Sequence, residues 1–249
     1  MSWWAELYDE LLADQLLVRD EGQVEPALRF LIDRLELTGR ARVLDQCCGI
    51  GSLTVPLARQ GFRMTAVDQA AGYIERARRE AGSAGVTVEF TAADACVFLP
   101  AHPVDAVFNW WTSFGYGDDD ENRRMLERAF DALRPGGRFA LDTMNVPGVL
   151  RGFRPDSILH RTTGRGQVTL LRETSIDFAA GRMLKEWTYF VDGQFATRHH
   201  SSVRLYLPDA IVTMLRAVGF ADIELVGDLT GAPLTLDSPR LIVLARRPR

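Results

Sequence analysis

Three acidic side chains stand at the ends of apolar segments, where they could bind a ligand. Asp45 precedes a turn with Gly49 and Gly51, Asp68 ends the next apolar segment, and Asp94 ends a third. A glycine turn between a parallel strand and a helix lets a ligand approach the backbone amides of the helix N-terminus. A carboxylate at Asp45 would repel a diphosphate bound there. The pattern therefore favours a nucleoside with a cationic end.

S-adenosylmethionine is such a ligand, because it carries an α-ammonium group and a sulfonium, and its ribose offers a diol to an acid. Asp68 follows Asp45 at about the separation expected of a ribose-binding acid in a nucleoside-binding βαβ unit. Asp94 could accept a hydrogen bond from the adenine amino group. No lysine follows the glycines, which argues against the phosphate-binding loop of nucleoside triphosphatases.

Alternating helical and extended segments must position these acids. Apolar spacing and capping residues predict helices at 24–37, 52–60, 70–81, 119–133 and 208–218. Apolar runs predict strands at 41–45, 62–68, 86–92, 104–109, 137–143, 221–227 and 240–246. Strands that alternate with helices imply a parallel sheet covered on both faces. We therefore predict a doubly wound, Rossmann-like α/β fold with a mostly parallel seven-stranded sheet.

The sequence becomes β-rich after about residue 150. Runs at 167–177, 182–192 and 195–206 are separated by Ala-Ala-Gly and Asp-Gly turns, which predicts an antiparallel β-meander inserted into the α/β domain. We expect one domain over 1–249. Its parts are an N-terminal lid segment at 1–23, a cofactor-binding core at 24–149, the β-rich insertion over the active site at 150–206, and a C-terminal helix with closing strands at 207–249.

With these elements placed, the chain resembles the class I S-adenosylmethionine-dependent methyltransferases over about residues 40–145. Their pattern is a strand, Asp-x-Gly-x-Gly-x-Gly, a helix, and a second strand that ends in Asp or Glu. The matching residues are Asp45-Gln-Cys47-Cys-Gly49-Ile-Gly51, Asp68, Asp94-Ala95, Asp105-Ala-Val-Phe-Asn109 and Leu133-Arg-Pro-Gly-Gly-Arg-Phe-Ala-Leu141. Cys47 replaces the usual first glycine. The resemblance implies S-adenosylmethionine as cofactor, with Cys47, Gln69, Ala95 and Asn109 among its contacts beside the acids and glycines.

Aromatic residues follow the fourth strand, in Asn109-Trp-Trp111-Thr-Ser-Phe114-Gly-Tyr116. This position is the carboxyl edge of the sheet, where ligands bind in doubly wound folds. We predict that Trp111 and Phe114 contact the substrate and that Tyr116 is catalytic. The alternative is that the aromatic side chains only anchor the following loop.

The first residues also carry aromatic side chains, since Trp4, Leu7, Tyr8 and Leu11 have helical spacing. A plain amphipathic helix would explain this spacing without any function. In similar methyltransferases a Tyr-Asp element ahead of the core covers the cofactor. The resemblance therefore implies that Tyr8 contacts the cofactor, and we place Trp4 at the substrate.

Two histidines lie in the last β-rich run. Strict alternation puts Phe195, His199 and Val203 on one face of the strand, and His200 and Arg204 on the other. If the meander arches over the active-site edge, His199 could act as a base and Arg204 could anchor the substrate. An exposed hairpin histidine is the alternative.

Composition argues against a membrane, secreted, metal-binding or nucleic-acid-binding protein. The 249 residues are 47% hydrophobic and 25% charged, as in globular proteins, without the roughly 18 consecutive apolar residues of a membrane span. Acids near the start are unlike a secretory signal. Three cysteines fit neither a disulfide framework nor a zinc spacing, which favours a cytoplasmic setting and predicts no metal site. The net charge of −4, a single lysine at Lys185 and the lack of a basic block give no nucleic-acid signal.

We expect methyl transfer to an N, O or C nucleophile of a small molecule, with specialised metabolism as one setting. No nucleic-acid or membrane partner is expected, and the insertion offers a surface for a homodimer. A nucleic-acid or protein methyltransferase and a nicotinamide-dependent oxidoreductase stay open as alternatives. Against them, Asn109-Trp-Trp lacks the Pro-Pro-aromatic run of base methylases, and Gly181 rather than Tyr lies four residues before Lys185.

Overall fold

The computed structural model describes residues 3–249, apart from the side chains of Ala5 and Glu6. Seven strands form one sheet in the order β10-β11-β5-β4-β1-β2-β3, and their pairs are parallel except that β11 runs antiparallel to both neighbours. The bounds are β1 (Arg42–Gln46), β2 (Arg63–Asp68), β3 (Glu89–Ala92), β4 (Val104–Asn109), β5 (Leu133–Thr143), β10 (Ala221–Val226) and β11 (Leu241–Arg246). The predicted mostly parallel seven-stranded sheet is confirmed.

Helices cover both faces of this sheet. They are α3 (Glu21–Arg34), α4 (Thr54–Arg59), α5 (Ala71–Ser83), α6 (Asp119–Ala132) and α8 (Pro208–Val218), and a further short helix, α7 (Val146–Arg151), follows β5. Adjacent residues of β1 point to opposite faces: Val43 packs with Leu31 of α3, whereas Leu44 packs with the cluster that contains Leu126 of α6 and Leu215 of α8. Because β1 is buried on both faces there, these adjacent residues are both apolar, and this apolar run is the pattern that predicted the strand from the sequence. Among the described residues no helix is both long and apolar enough to cross a membrane.

A second sheet follows the fifth strand of the first one. Its four antiparallel strands are β6 (Asp156–Thr163), β7 (Gly166–Asp177), β8 (Arg182–Val191) and β9 (Gln194–Arg204), paired in chain order. The predicted antiparallel insertion is confirmed, with β6 as an additional strand. One face of this meander packs on the first residues of the chain, where Leu170, Trp187 and Tyr189 contact a cluster that contains Leu7 and Leu12.

The chain before α3 forms two short helices, α1 (Trp4–Leu7) and α2 (Glu10–Leu12), and a π-helical turn at Ala13–Leu17. The next helix begins at Glu21, earlier than predicted, because the Asp20 carboxylate accepts a hydrogen bond from the Gln23 amide. We call residues 3–20 the N-terminal segment. It lies between the meander and the helical layer, and so it borders the ligand-binding edge of the sheet.

The capping box of α6 gives a first prediction. The Asp118 carboxylate accepts from the Glu121 amide, and the Glu121 carboxylate accepts from the Asp118 amide. Because these bonds satisfy two helix-end donors, Asp118→Ala should lower the free energy of unfolding by about 1 kcal/mol. The matched control is Asp120→Ala in the same first turn, which removes only an exposed pair with Arg123. Equal losses for the two variants in urea unfolding would contradict the prediction.

Candidate active site

The turn after β1 has the backbone geometry of a ligand-binding loop. Cys47, Gly49 and Gly51 all have positive φ, of 69°, 55° and 81°. A side chain at Gly51 would meet the Ala77 Cβ of α5 at 3.1 Å, so this glycine permits close packing of the helix. Cys47 adopts the left-handed conformation that disfavours most side chains, which explains in physical terms why glycine is usual at this position.

Asp68 joins this loop to the end of β2. Its two carboxylate oxygens accept hydrogen bonds from the amides of Gly49 and Ala70, at 2.8 and 2.9 Å. Burial raises the pKa of Asp68, while these two bonds act in the opposite direction. Each oxygen keeps a further lone pair, so the carboxylate can also accept from two ribose hydroxyls.

Most of the predicted site residues line a single cavity of about 360 Å³. It lies between the carboxyl edge of the seven-stranded sheet, the N-terminal segment and the inner face of the meander. The predicted residues that line it are Trp4, Tyr8, Cys47, Gly49, Asp68, Gln69, Asp94, Ala95, Trp111 and Tyr116. Asp94 is exposed there, and one of its oxygens accepts from the Cys96 amide at 2.8 Å.

Two predicted cofactor residues lie behind the cavity wall. Asp45 is 3% exposed and accepts a hydrogen bond from the Thr54 hydroxyl. Asn109 is buried too, and its amide lies near Gln46 and Cys47. Neither side chain lines the cavity, and their direct contact with the cofactor stays a prediction that this placement does not support. They support the loop from behind, as does Gly51.

Two predicted substrate residues also point elsewhere. Phe114 is 1% exposed and packs in the core against Tyr206, with ring centroids 5.5 Å apart. The Arg204 guanidinium pairs with Asp119 and donates to the carbonyl of Gly181. The structure therefore does not bring either of these two side chains to the cavity. The loop after β4 turns so that Tyr116 faces the cavity while Phe114 faces the core.

His199 does lie on the inner face of the meander, as strand alternation predicted, but it does not reach the cavity. Its Nε2 lies 3.0 Å from a carboxylate oxygen of Asp9, whose other oxygen accepts from the Leu12 amide at the start of α2. The edge of its ring faces Tyr189. This contact holds the N-terminal segment against β9, and the structure does not bring His199 to the cavity where a base would act.

Aromatic side chains form one wall of the cavity. The Tyr8 hydroxyl donates to the Tyr116 hydroxyl at 2.5 Å, and the two rings stack with centroids 6.1 Å apart. Trp3 packs against Tyr116, and Tyr73 presents its edge to Tyr8. Burial raises the pKa of Tyr116 to about 12. Its hydroxyl is therefore neutral near pH 7 and acts as a hydrogen-bonding group rather than as a base.

The cavity is also bordered by a strained turn at Trp111 and Thr112, with φ of 58° and 63°. Asp142 of β5 holds this turn, since its carboxylate accepts from the Trp111 amide and its carbonyl from the Thr112 amide. Arg240 pairs with the same carboxylate, and the Arg19 guanidinium lies 4.8 Å from the centre of the Trp111 ring. Surroundings that fix uncommon backbone conformations in this way are frequent at functional sites.

Sequence reasoning missed several cavity residues. They are cationic, aromatic and hydroxyl side chains of the N-terminal segment and the meander: Arg19, Arg172, Lys185, Trp187 and Ser201. Strand alternation could have placed Lys185 and Trp187 on one face. The cross-strand pairing that sets Arg172 beside Trp187 follows from the register of the hairpin, which the sequence pattern does not fix.

This geometry agrees with known proteins. Residues 43–137 match a family model described as a methyltransferase domain. A putative methyltransferase of Geobacillus sp. strain WCH70 is 25% identical over 99% of this chain and 98% of its own length. A crystal structure of an S-adenosylmethionine-dependent methyltransferase from Clostridium acetobutylicum has a TM-score of 0.79 at 19% identity, with 99% of this chain and 98% of that chain covered.

Residues 43–137 form a methyltransferase domain, and together these comparisons support a class I S-adenosylmethionine-dependent methyltransferase. This confirms the predicted family, the enzyme class and the cofactor. The sugar N-methyltransferase KedS8 from Streptoalloteichus sp. has a similar structure, with a TM-score of 0.72 at 20% identity over 97% of this chain and 89% of that chain. Several other curated relatives match this methyltransferase over only 39–48% of their own length.

Asp45 should make the stability of the methyltransferase depend on pH. Burial raises its pKa from 3.8 to about 7, so folding favours the protonated form. This contribution is complete below pH 3.8 and is lost as the pH rises through about 7. Between about pH 6 and pH 8, the wild type should lose about 1 kcal/mol more than Asp45→Asn, as measured by urea unfolding. Parallel pH profiles would contradict this assignment.

The contact between His199 and Asp9 gives a further prediction. If it holds the N-terminal segment over the cofactor, His199→Asn should weaken binding of S-adenosylhomocysteine roughly two- to tenfold in calorimetry, the loss of about one hydrogen bond. His200→Asn is the matched control, because His200 lies on the outer face and is exposed. Unchanged binding by His199→Asn would show that the contact does not serve the cofactor site.

Proposed function

We propose that this methyltransferase transfers the methyl group of S-adenosylmethionine to a small molecule, with an amine nitrogen as the favoured nucleophile and oxygen or carbon as the alternatives. The observation that carries the proposal is a covered cavity that contains both the cofactor acids and a wall of aromatic side chains. Covered apolar cavities with few polar groups suit small molecules. The structural similarity to a sugar N-methyltransferase also supports a small acceptor.

The residues present suit each part of the cofactor. We assign Asp68 to the ribose hydroxyls and Asp94 with Ala95 to the adenine. We assign Arg19 to the methionine carboxylate, because its Nε is buried and has no hydrogen-bond partner among the described residues. Buried donors of this kind are normally paired, and a guanidinium matches a carboxylate.

Methyl transfer requires little of the protein beyond positioning the acceptor and excluding water. S-adenosylmethionine supplies an activated methyl group, and an in-line displacement needs a nucleophile held close to it in the correct direction. Trp4 and Tyr8 of the N-terminal segment cover the cavity, and Tyr116 can orient the acceptor by a hydrogen bond. A neutral amine needs no strong base, and a tyrosine with a pKa of about 12 offers none. The site therefore favours an amine.

The cofactor assignment is tested by two carboxamide variants. Asp68→Asn should weaken binding of S-adenosylhomocysteine roughly 10- to 100-fold, because hydrogen bonds to a charged acceptor contribute about 1.5–3 kcal/mol. Asp94→Asn should weaken binding less, since Asp94 is exposed. The control Asp209→Asn lies on an exposed turn of α8, outside the cavity. Wild-type affinity in both cavity variants, measured by calorimetry, would refute the assignment.

The acceptor class is tested with S-adenosylmethionine labelled in its methyl group. Pools of small amines, alcohols and carbon acids are compared with RNA, DNA and unfolded protein as acceptors. Label in a small amine supports the proposal, and label in an alcohol or a carbon acid changes the nucleophile. Label confined to macromolecules would overturn the proposal.

The homodimer through the meander stays a prediction, and sedimentation of the same preparation tests it.

A further inference from the structure

The inner face of the meander presents two cations to the cavity. The Arg172 guanidinium lies 5.4 Å from the centre of the Trp187 ring, and the Lys185 ammonium lies 5.6 Å from it. Arg172 pairs directly across the strands with Trp187, and Lys185 is the diagonal neighbour two residues away. All three side chains line the cavity.

No carboxylate among the described side chains pairs with these two cations. Of the carboxylates that the structure describes, none lies within 4.0 Å of Arg172 or Lys185. Arg172 uses its Nε to donate to the Ser157 hydroxyl, which leaves both terminal nitrogens of the guanidinium available. Burial and, as the second cause, the charge of Arg172 lower the pKa of Lys185 to about 8. Two half-buried cations in one cavity repel each other, and an anionic ligand would relieve this repulsion.

The carboxylates that line the cavity do not neutralise Arg172 and Lys185. Asp68 and Asp94 are assigned to the cofactor, and Glu121 is engaged in the capping box of α6. The sulfonium of the cofactor adds another positive charge to the same cavity. Among the described residues that line the cavity, no carboxylate is left to balance Arg172 and Lys185.

We propose that Arg172 and Lys185 bind an anionic group, a carboxylate or a phosphate, on the methyl acceptor, and that Trp187 packs against the neighbouring part of the acceptor. A planar guanidinium can hold two oxygens of such a group, and an ammonium adds a mobile charge. This inference rests on the proposed function, since it places the acceptor in the space that the cofactor leaves free.

The test uses Lys185 itself as the reporter. Because the chain has a single lysine, protein labelled with ¹³C at the lysine ε-carbon gives one side-chain signal whose pH titration reports the pKa of Lys185. The complex with S-adenosylhomocysteine is titrated with benzoate, phenyl phosphate and neutral benzamide at constant ionic strength. We expect benzoate or phenyl phosphate to raise this pKa by roughly one pH unit or more in a saturable way, and benzamide to leave it unchanged.

Variants locate the binding site. Arg172→Met should weaken binding of the effective anion at least about tenfold. Arg198→Met is the matched control, because Arg198 pairs with Glu186 on the outer face of the meander. Whichever anion raises the pKa identifies carboxylate or phosphate as the favoured group.

Three outcomes would overturn the inference. These are no saturable effect of either anion, an equal effect of benzamide, or a rise of the pKa with S-adenosylhomocysteine alone to which the anions add nothing. The last outcome would assign the two cations to the carboxylate of the cofactor. Calorimetry with S-adenosylhomocysteine separates this inference from the proposed function: failure of that binding refutes the function, whereas binding without an anion effect refutes only the inference.

Discussion

The hydrogen bonds of one carboxylate, that of Asp68, connect the parts of the cofactor site. By accepting from the amides of Gly49 and Ala70, it fixes the loop after β1 against the end of β2. The left-handed conformation at Cys47 lets the loop follow this path, and the packing of Gly51 on Ala77 keeps the next helix close. Burial opposes the charged form of Asp68. Amide and ribose donors together can offset this cost, so the loop and the ligand stabilise the same ionised group.

The two sheets contribute opposite charges to the cavity for topological reasons. Parallel strands all end at one edge, and there Asp68 and Asp94 line the cavity, where we propose that they bind the nucleoside. The inner face of an antiparallel meander instead carries every second residue of each strand, and Arg172 and Lys185 belong to this set. The cofactor would therefore bind to the edge of the parallel sheet, and the acceptor would bind to the meander. A change in the meander could alter the acceptor while the cofactor site stays intact.

The sequence was sufficient for features that depend on local pattern. Apolar periodicity predicted the helices and the parallel sheet, and the positions of Asp68 and Asp94 at strand ends predicted that both would lie in one site, as the cavity shows. Side-chain direction in the loop after β4 was not predictable, because Trp111 and Thr112 adopt positive φ that only their tertiary contacts with Asp142 explain. For His199 the face was correct, but its partner Asp9 lies 190 positions away in the chain.

The meander also holds the N-terminal segment in place, because this segment has little stability of its own. Its helices contain four and three residues, too few to persist in isolation. It is held by Arg161, which donates to the carbonyls of Gln15 and Val18, by His199, and by the hydroxyl of Tyr116. Local unfolding of such a segment requires less free energy than opening of the core. Exchange of the cofactor through this segment would therefore leave the seven-stranded sheet and its acids in place.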